Sequence, residues 1–307
     1  MNYLKILLYL LLSAGLSYGG LIVADTFSDP DSLLTPVWGL LAYSWGPALA
    51  VLVMQKLIYR ESMARYGWNR KHYSLKWIVV TLFLPVAVVV GSIAMVFILG
   101  NVLNIPGFGR VVPGDPNMGQ IVSERLAPWL GETIFHIYMP SSLIYLFLGL
   151  AVLGVIAGAT FNLLFNVGEE VGWRGFMLIE TRSLGFLGSN LVLGGFWGLW
   201  SVPYFLYHFP NPSADLLWFL FANVGYCVAI SFPLAYLALK ARSIYASATF
   251  TGIINNLALV SAFFVADGNP LLGSTKGFAG MMVFLVITFL IIRYDSKFVD
   301  EYADLFY

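Results

Sequence analysis

Two adjacent carboxylates and a guanidinium, Glu169, Glu170 and Arg174, stand at the end of a long apolar run. On a helix Glu170 and Arg174 are i and i+4 with the acid first, the better order for an ion pair. Glu169 lies about 100° round the axis, so one carboxylate can be neutralised while the other points elsewhere. A charge near the middle of a bilayer costs about 2.5–3.5 kcal/mol on insertion scales, so such a residue has a partner or a task. A carboxylate without its own cation in a low-dielectric site suits a general base that activates water. An ion-pair cluster at a helix end on the membrane surface has the same spacing, and spacing alone leaves both readings open.

Other polar residues fall on the same kind of apolar background. Asn162, Asn166 and Glu170 are spaced by four, a stripe that must face protein or water because buried amides need partners. Ser201 offers a hydroxyl two residues before Pro203, a candidate kink. His208 shares the Ser201 face two turns on and reads as an interfacial histidine. Thr251 and Asn255 are again i and i+4, with Asn256 next to them. A threonine in a membrane helix commonly bonds the carbonyl four residues back. An asparagine amide can donate to a developing oxyanion or simply join two helices.

The elements that must position these groups follow from composition. The chain has 307 residues, 59% hydrophobic and 10% charged, against about 25% charged in a soluble domain. Apolar runs of helix-spanning length recur at about 3–24, 36–58, 77–100, 138–166, 187–207, 214–239, 243–265 and 276–293. The expectation is an all-α polytopic membrane protein of about eight transmembrane helices round a central polar cavity, in one domain over 1–307. The segment 101–137, rich in Gly and Pro, is expected to hold a short interfacial helix near 117–131.

With both termini cytoplasmic, thirteen Lys and Arg fall inside and three, Arg110, Arg125 and Lys276, outside. Net charge is zero and no basic tract points to nucleic acid. The single cysteine, Cys227, excludes an intramolecular disulfide, and His72, His136 and His208 form no metal-ligand spacing. No metal or cofactor is expected.

Three stretches together resemble the CAAX-processing and bacteriocin-processing (CPBP) family of membrane proteases, which includes the Ras-converting enzyme type and the bacterial "Abi" proteins. The family pattern is Glu-Glu-x-x-x-Arg, then Phe-x-x-x-His, then His-x-x-x-Asn, on separate helices. Glu169-Glu170-Val-Gly-Trp-Arg174-Gly-Phe matches the first in full. Gly198-Leu-Trp-Ser201-Val-Pro203 resembles the second, and Ser243-Ile-Tyr-Ala246 with Thr251-Gly-Ile-Ile-Asn255-Asn256 the third. The family-like core spans about 140–260. Ser201 and Thr251 stand where the family has histidines, and Trp197 where it has Phe.

The resemblance implies that Glu169 is the base, Glu170 and Arg174 a supporting pair, and Asn255 an oxyanion donor. Ser201 could still donate one hydrogen bond, whereas Thr251 has no pKa near 7 and cannot act as an imidazole. One implied function is a glutamic intramembrane endopeptidase acting on a hydrophobic or lipid-linked peptide near the cytoplasmic face. The alternative is a proteolytically degenerate homologue that binds membrane proteins or lipids as a scaffold, chaperone or immunity factor. A transporter has no repeat or paired broken helices to support it. The expected location is the plasma membrane of a prokaryote, with the lipid bilayer as the first partner.

Overall fold

The computed structural model describes residues 2–29, 32, 34–63, 75–112, 143–208 and 214–305. The interfacial helix expected near 117–131 lies outside these residues.

The fold is all-α and polytopic, and its helices present apolar residues outward while several of them also bury small or polar residues inward. In α1 (Tyr3–Phe27) the buried face runs Tyr9, Ser13, Ser17, Leu21, spaced by four, while Leu4, Leu7, Leu11 and Ile22 are exposed. Lipid is as apolar as leucine, so helix association favours close packing of small residues and interhelical hydrogen bonds. Trp200 accordingly donates to the Ser17 hydroxyl at 3.0 Å, tying α1 to a helix far along the chain. α2 (Thr35–Val53) packs along α1 and continues into a π turn, Met54–Ile58. α3 (Leu75–Val96) ends in a second π turn, Phe97–Val102.

The next apolar run is broken. α4 (Leu143–Ala159) and α5 (Phe161–Glu170) meet at Thr160, and the helical stretch Phe161–His208 that α5 begins is bent by 53° from Ile144–Ala159. The Thr160 hydroxyl donates to the Ile156 carbonyl at 2.6 Å, the back-bond that bends helices. A π turn (Val171–Met177), one turn of α-helix (Leu178–Thr181) and a 3₁₀ turn (Arg182–Leu184) lead to α6 (Gly185–His208). Gly185 at that corner has φ +70°, a backbone region that favours glycine. α7 (Ala214–Ala241), α8 (Ile244–Leu257) and α9 (Phe278–Tyr294) complete the bundle. Two residues of β1 (Arg110–Val111) pair antiparallel with β2 (Val265–Ala266).

Each of the eight apolar runs contains helix, but they do not make eight equal spans. Among the described residues five helices are long and apolar enough to cross a membrane, and a sixth counts when the bent pair is one span. α8 has 14 residues, about 21 Å at 1.5 Å each, short of a bilayer core of about 30 Å. It is buried on most sides against α3, α4, α5 and α7, and carries polar Thr251, Asn255 and Asn256. Its approach to α4 is very close. A Cβ at Gly252 would sit 2.4 Å from the Gly158 carbonyl oxygen, and one at Gly158 2.5 Å from the Ile253 backbone. Only glycine allows that crossing.

Candidate functional site

The C-terminal end of α5 and the π turn after it carry the charged stretch. Arg174 Nη1 bonds Glu170 Oε1 at 2.8 Å, and both side chains are wholly buried. Arg174 Nη2 also donates to the Ser231 hydroxyl of α7 at 3.2 Å, and Ser231 donates to the Cys227 carbonyl at 2.6 Å. The guanidinium carbon lies 4.4 Å from the centre of the Trp197 ring on α6. A buried ion pair is viable only when hydrogen bonds satisfy the remaining donors and acceptors, and α7 supplies one of them. α5 itself is pressed against α2: a Cβ on Gly168 would sit 2.7 Å from the Ser44 carbonyl oxygen.

Glu169, one residue earlier, faces elsewhere. Its carboxylate accepts a hydrogen bond from Trp197 Nε1 at 3.0 Å and lines a cavity of about 200 Å³. Trp197 therefore touches the guanidinium with its ring face and the neighbouring carboxylate with its N–H. Nothing in the sequence signalled that bridge, since an indole in a membrane helix is ordinarily packing.

The same cavity is lined by Ser201 from α6 and by Thr251 and Asn255 from α8. The structure thus brings Glu169, Ser201, Thr251 and Asn255 to one wall system, while Glu170 and Arg174 lie behind it. Asn255 donates to Asn166 Oδ1 at 3.4 Å, a long bond, and Asn166 donates to the Asn162 carbonyl at 2.6 Å. Asn256 takes the packing role, accepting from Asn162 at 2.8 Å and donating to the Gly154 carbonyl at 3.3 Å. The polar stripe of α5 meets the asparagine pair of α8, as buried amides require.

Ser201 differs from expectation. Its hydroxyl proton goes to the Gly198 carbonyl at 2.7 Å, and its oxygen accepts from Asn223 Nδ2 at 2.7 Å. A hydroxyl has one proton, so Ser201 as placed has none to give a ligand. Asn223 of α7, a lone asparagine in an apolar run, is the amide that lines the cavity at that corner. His208 is exposed at the end of α6, its Nδ1 2.9 Å from the Tyr204 carbonyl, and does not line the cavity.

Lys276 is the larger surprise. The count of basic residues assigned it to an outer segment, yet it lines the cavity with Glu169. The turn that carries it, between Pro270–Gly273 and α9, folds into the bundle: Thr275 is fully buried and its N–H donates to the Ser261 hydroxyl at 3.3 Å. Among the described residues, Glu169 and Lys276 are the two charged ones in the cavity lining.

No curated protein matches the chain. Residues 154–257, from the last turns of α4 through α8, match the family model described as type II CAAX prenyl endopeptidase Rce1-like, and the three motif stretches fall within this segment.

Proposed function

We propose that the chain is an intramembrane endopeptidase in which Glu169 acts as the general base on water. The observation that carries this reading is the shared cavity. Three stretches distant in sequence contribute Glu169, Ser201, Thr251 and Asn255 to it, while Glu170 and Arg174 close on each other behind it. A base and an amide donor that reach one small space are the minimum for hydrolysis of a carbonyl. The substrate would be a hydrophobic or lipid-linked peptide that enters from the bilayer. A single domain over 1–307 with both termini cytoplasmic completes the proposal. Cysteines at Ser28 and Ser62 would then label from opposite sides of sealed vesicles, and labelling of both from one side would overturn the topology.

A second reading, a scaffold without proteolysis, is favoured by one observation: among the described residues the cavity lining contains no imidazole. Reconstituted protein with a quenched peptide library separates the two. The endopeptidase reading requires cleavage that disappears in Glu169→Gln at unchanged thermal stability. Absence of cleavage across the library, or cleavage indifferent to Glu169→Gln, rejects it.

A further inference from the structure

Three side chains on the cavity wall hold hydrogens that no described residue accepts. The Thr251 hydroxyl, on a residue 3% exposed, and the Tyr226 hydroxyl, on one 6% exposed, have no hydrogen-bond partner among the described residues. Lys276, by contrast an exposed residue, lines the cavity and makes no ion pair among them. All three line the cavity that Glu169 lines. Buried polar groups are almost always hydrogen-bonded, so unsatisfied ones call for an explanation. Two orphaned hydroxyls beside a cation form a donor set without an acceptor. The missing acceptor is an oxygen that carries negative charge.

We propose that Lys276, Thr251 and Tyr226 form the oxyanion-receiving wall of the site, taking over from the imidazoles that Ser201 and Thr251 replace. The proposal rests on the endopeptidase reading and assigns it residues outside the three motifs. Glu169 removes a proton from water, and the hydroxide oxygen bonds to the peptide carbonyl carbon. The carbonyl π pair moves to oxygen, where the ammonium and the two hydroxyls receive it. On collapse the C=O re-forms, the C–N bond breaks, and the proton held by Glu169 passes to the leaving nitrogen. Lys276 exchanges no proton in these steps. Donors fixed in a water-poor site before the charge develops are the most effective form of such stabilisation. The backbone that carries Lys276 is held: Gly277 N–H donates to Ser274 O at 3.1 Å and Gly280 N–H to the same oxygen at 3.2 Å, which ties the turn to the start of α9.

The test uses full-length protein and a panel of capped dipeptide phosphonates, each with its uncharged parent peptide. The phosphonate oxygens stand in for the tetrahedral oxyanion. Wild type should bind some phosphonates at least tenfold better than their parents. Lys276→Met, Thr251→Val and Tyr226→Phe should each erase about ten- to a hundredfold of that preference, the usual worth of hydrogen bonds to charged groups. Parent binding should fall less than phosphonate binding in every variant, and Lys276→Arg should keep part of the preference. Thr251→Val and Tyr226→Phe should leave the thermal midpoint unchanged or raised, because each removes a buried hydroxyl that has no partner. Phosphonates bound no better than parents, or variants that weaken both alike, would overturn the proposal. So would a lowered midpoint in both hydroxyl variants, since that outcome shows structural partners. Phosphonate preference without Glu169-dependent cleavage keeps this wall and rejects the endopeptidase reading. Cleavage undiminished in Lys276→Met does the reverse.

Discussion

Glu169 and Glu170 are neighbours in sequence and opposites in surroundings. Glu170 sits in a closed set: Arg174 bonds it, Ser231 bonds Arg174, and both charged side chains are sealed from solvent. Glu169 belongs to an open set, in which a cavity separates its carboxylate from Lys276, Thr251 and Asn255. The closed set should hold the helices together, and the open set should be free to receive something. Placing both on consecutive residues lets one helix end do two jobs, because adjacent side chains diverge by about 100°.

The comparison can be broken at several points, and the largest effect belongs to the closed set. Arg174→Met should cost about 3–5 kcal/mol, because it strands the Glu170 charge in a dry site. Thermal denaturation in detergent, or loss of expression, would report it. The double change Glu170→Leu with Arg174→Met removes both charges and should recover most of that loss. A mild Arg174→Met would mean that the pair is not the keystone described here.

Next comes the open set. The double change Ser201→His with Thr251→His should create or raise peptidase activity that depends on Glu169, at an overpacking cost of about 1–3 kcal/mol. Thr251 is 3% exposed, so most of that cost should fall there, and single variants compared by thermal shift would locate it. A stable double variant without Glu169-dependent cleavage would mean that the cavity does other work.

A smaller effect is expected at a third charged cluster. Lys5 of α1 bridges Glu61 at 3.2 Å and Glu180 at 3.0 Å. Its ammonium also lies 4.9 Å from the centre of the Tyr59 ring. Lys5→Met should cost about 1.5–3 kcal/mol, the range for hydrogen bonds to charged groups, and less than Arg174→Met because Glu61 is partly solvated. Equal losses would erase the distinction between sealed and half-open clusters.

The smallest effect lies just beyond α9. Burial alone would raise the pKa of Asp295, but hydrogen bonds from Lys240 and Tyr236, the Lys240 charge and the Phe298 N–H outweigh it and hold the carboxyl below its usual value. A depressed carboxylate contributes stability that is complete above the unfolded pKa of about 3.9 and fades as pH falls through the lower folded value. Partly exposed pairs are worth roughly 0–1 kcal/mol. Asp295→Asn should therefore lower stability slightly at pH 7 and flatten its decline below pH of about 4. An unchanged acid limb in urea unfolding curves would rule Asp295 out as its source.

Much of this was legible in the chain. Eight apolar runs announced a membrane bundle, the i,i+4 order of Glu170 and Arg174 announced their pairing, and the stripe Asn162–Asn166–Glu170 announced a buried polar face. What was not legible depends on tertiary packing. Lys276 read as a loop charge because it flanks a span, and the docking of Thr275 on Ser261 brings its turn to the cavity lining. Ser201 read as a donor because its type permits one. The choice of Gly198 as acceptor and the approach of Asn223 from another helix decide otherwise. The shortness of α8 was hidden because an apolar run looks the same whether it crosses a bilayer or is buried in protein.

Trp197 stands where the family pattern has Phe. An aromatic ring is a quadrupole, electron-rich on its faces and electron-poor at its rim. Phenylalanine could offer Arg174 the same face, but it has no N–H for Glu169. With indole, one rigid plate holds a cation on its face, 4.4 Å from the ring centre, and an anion at its rim at 3.0 Å. The plate separates the two charges spatially while coupling them electrically: withdrawal of the guanidinium would leave the face richer and the rim N–H a weaker donor. A change in the sealed pair can thus reach the cavity through a single side chain, with no backbone movement.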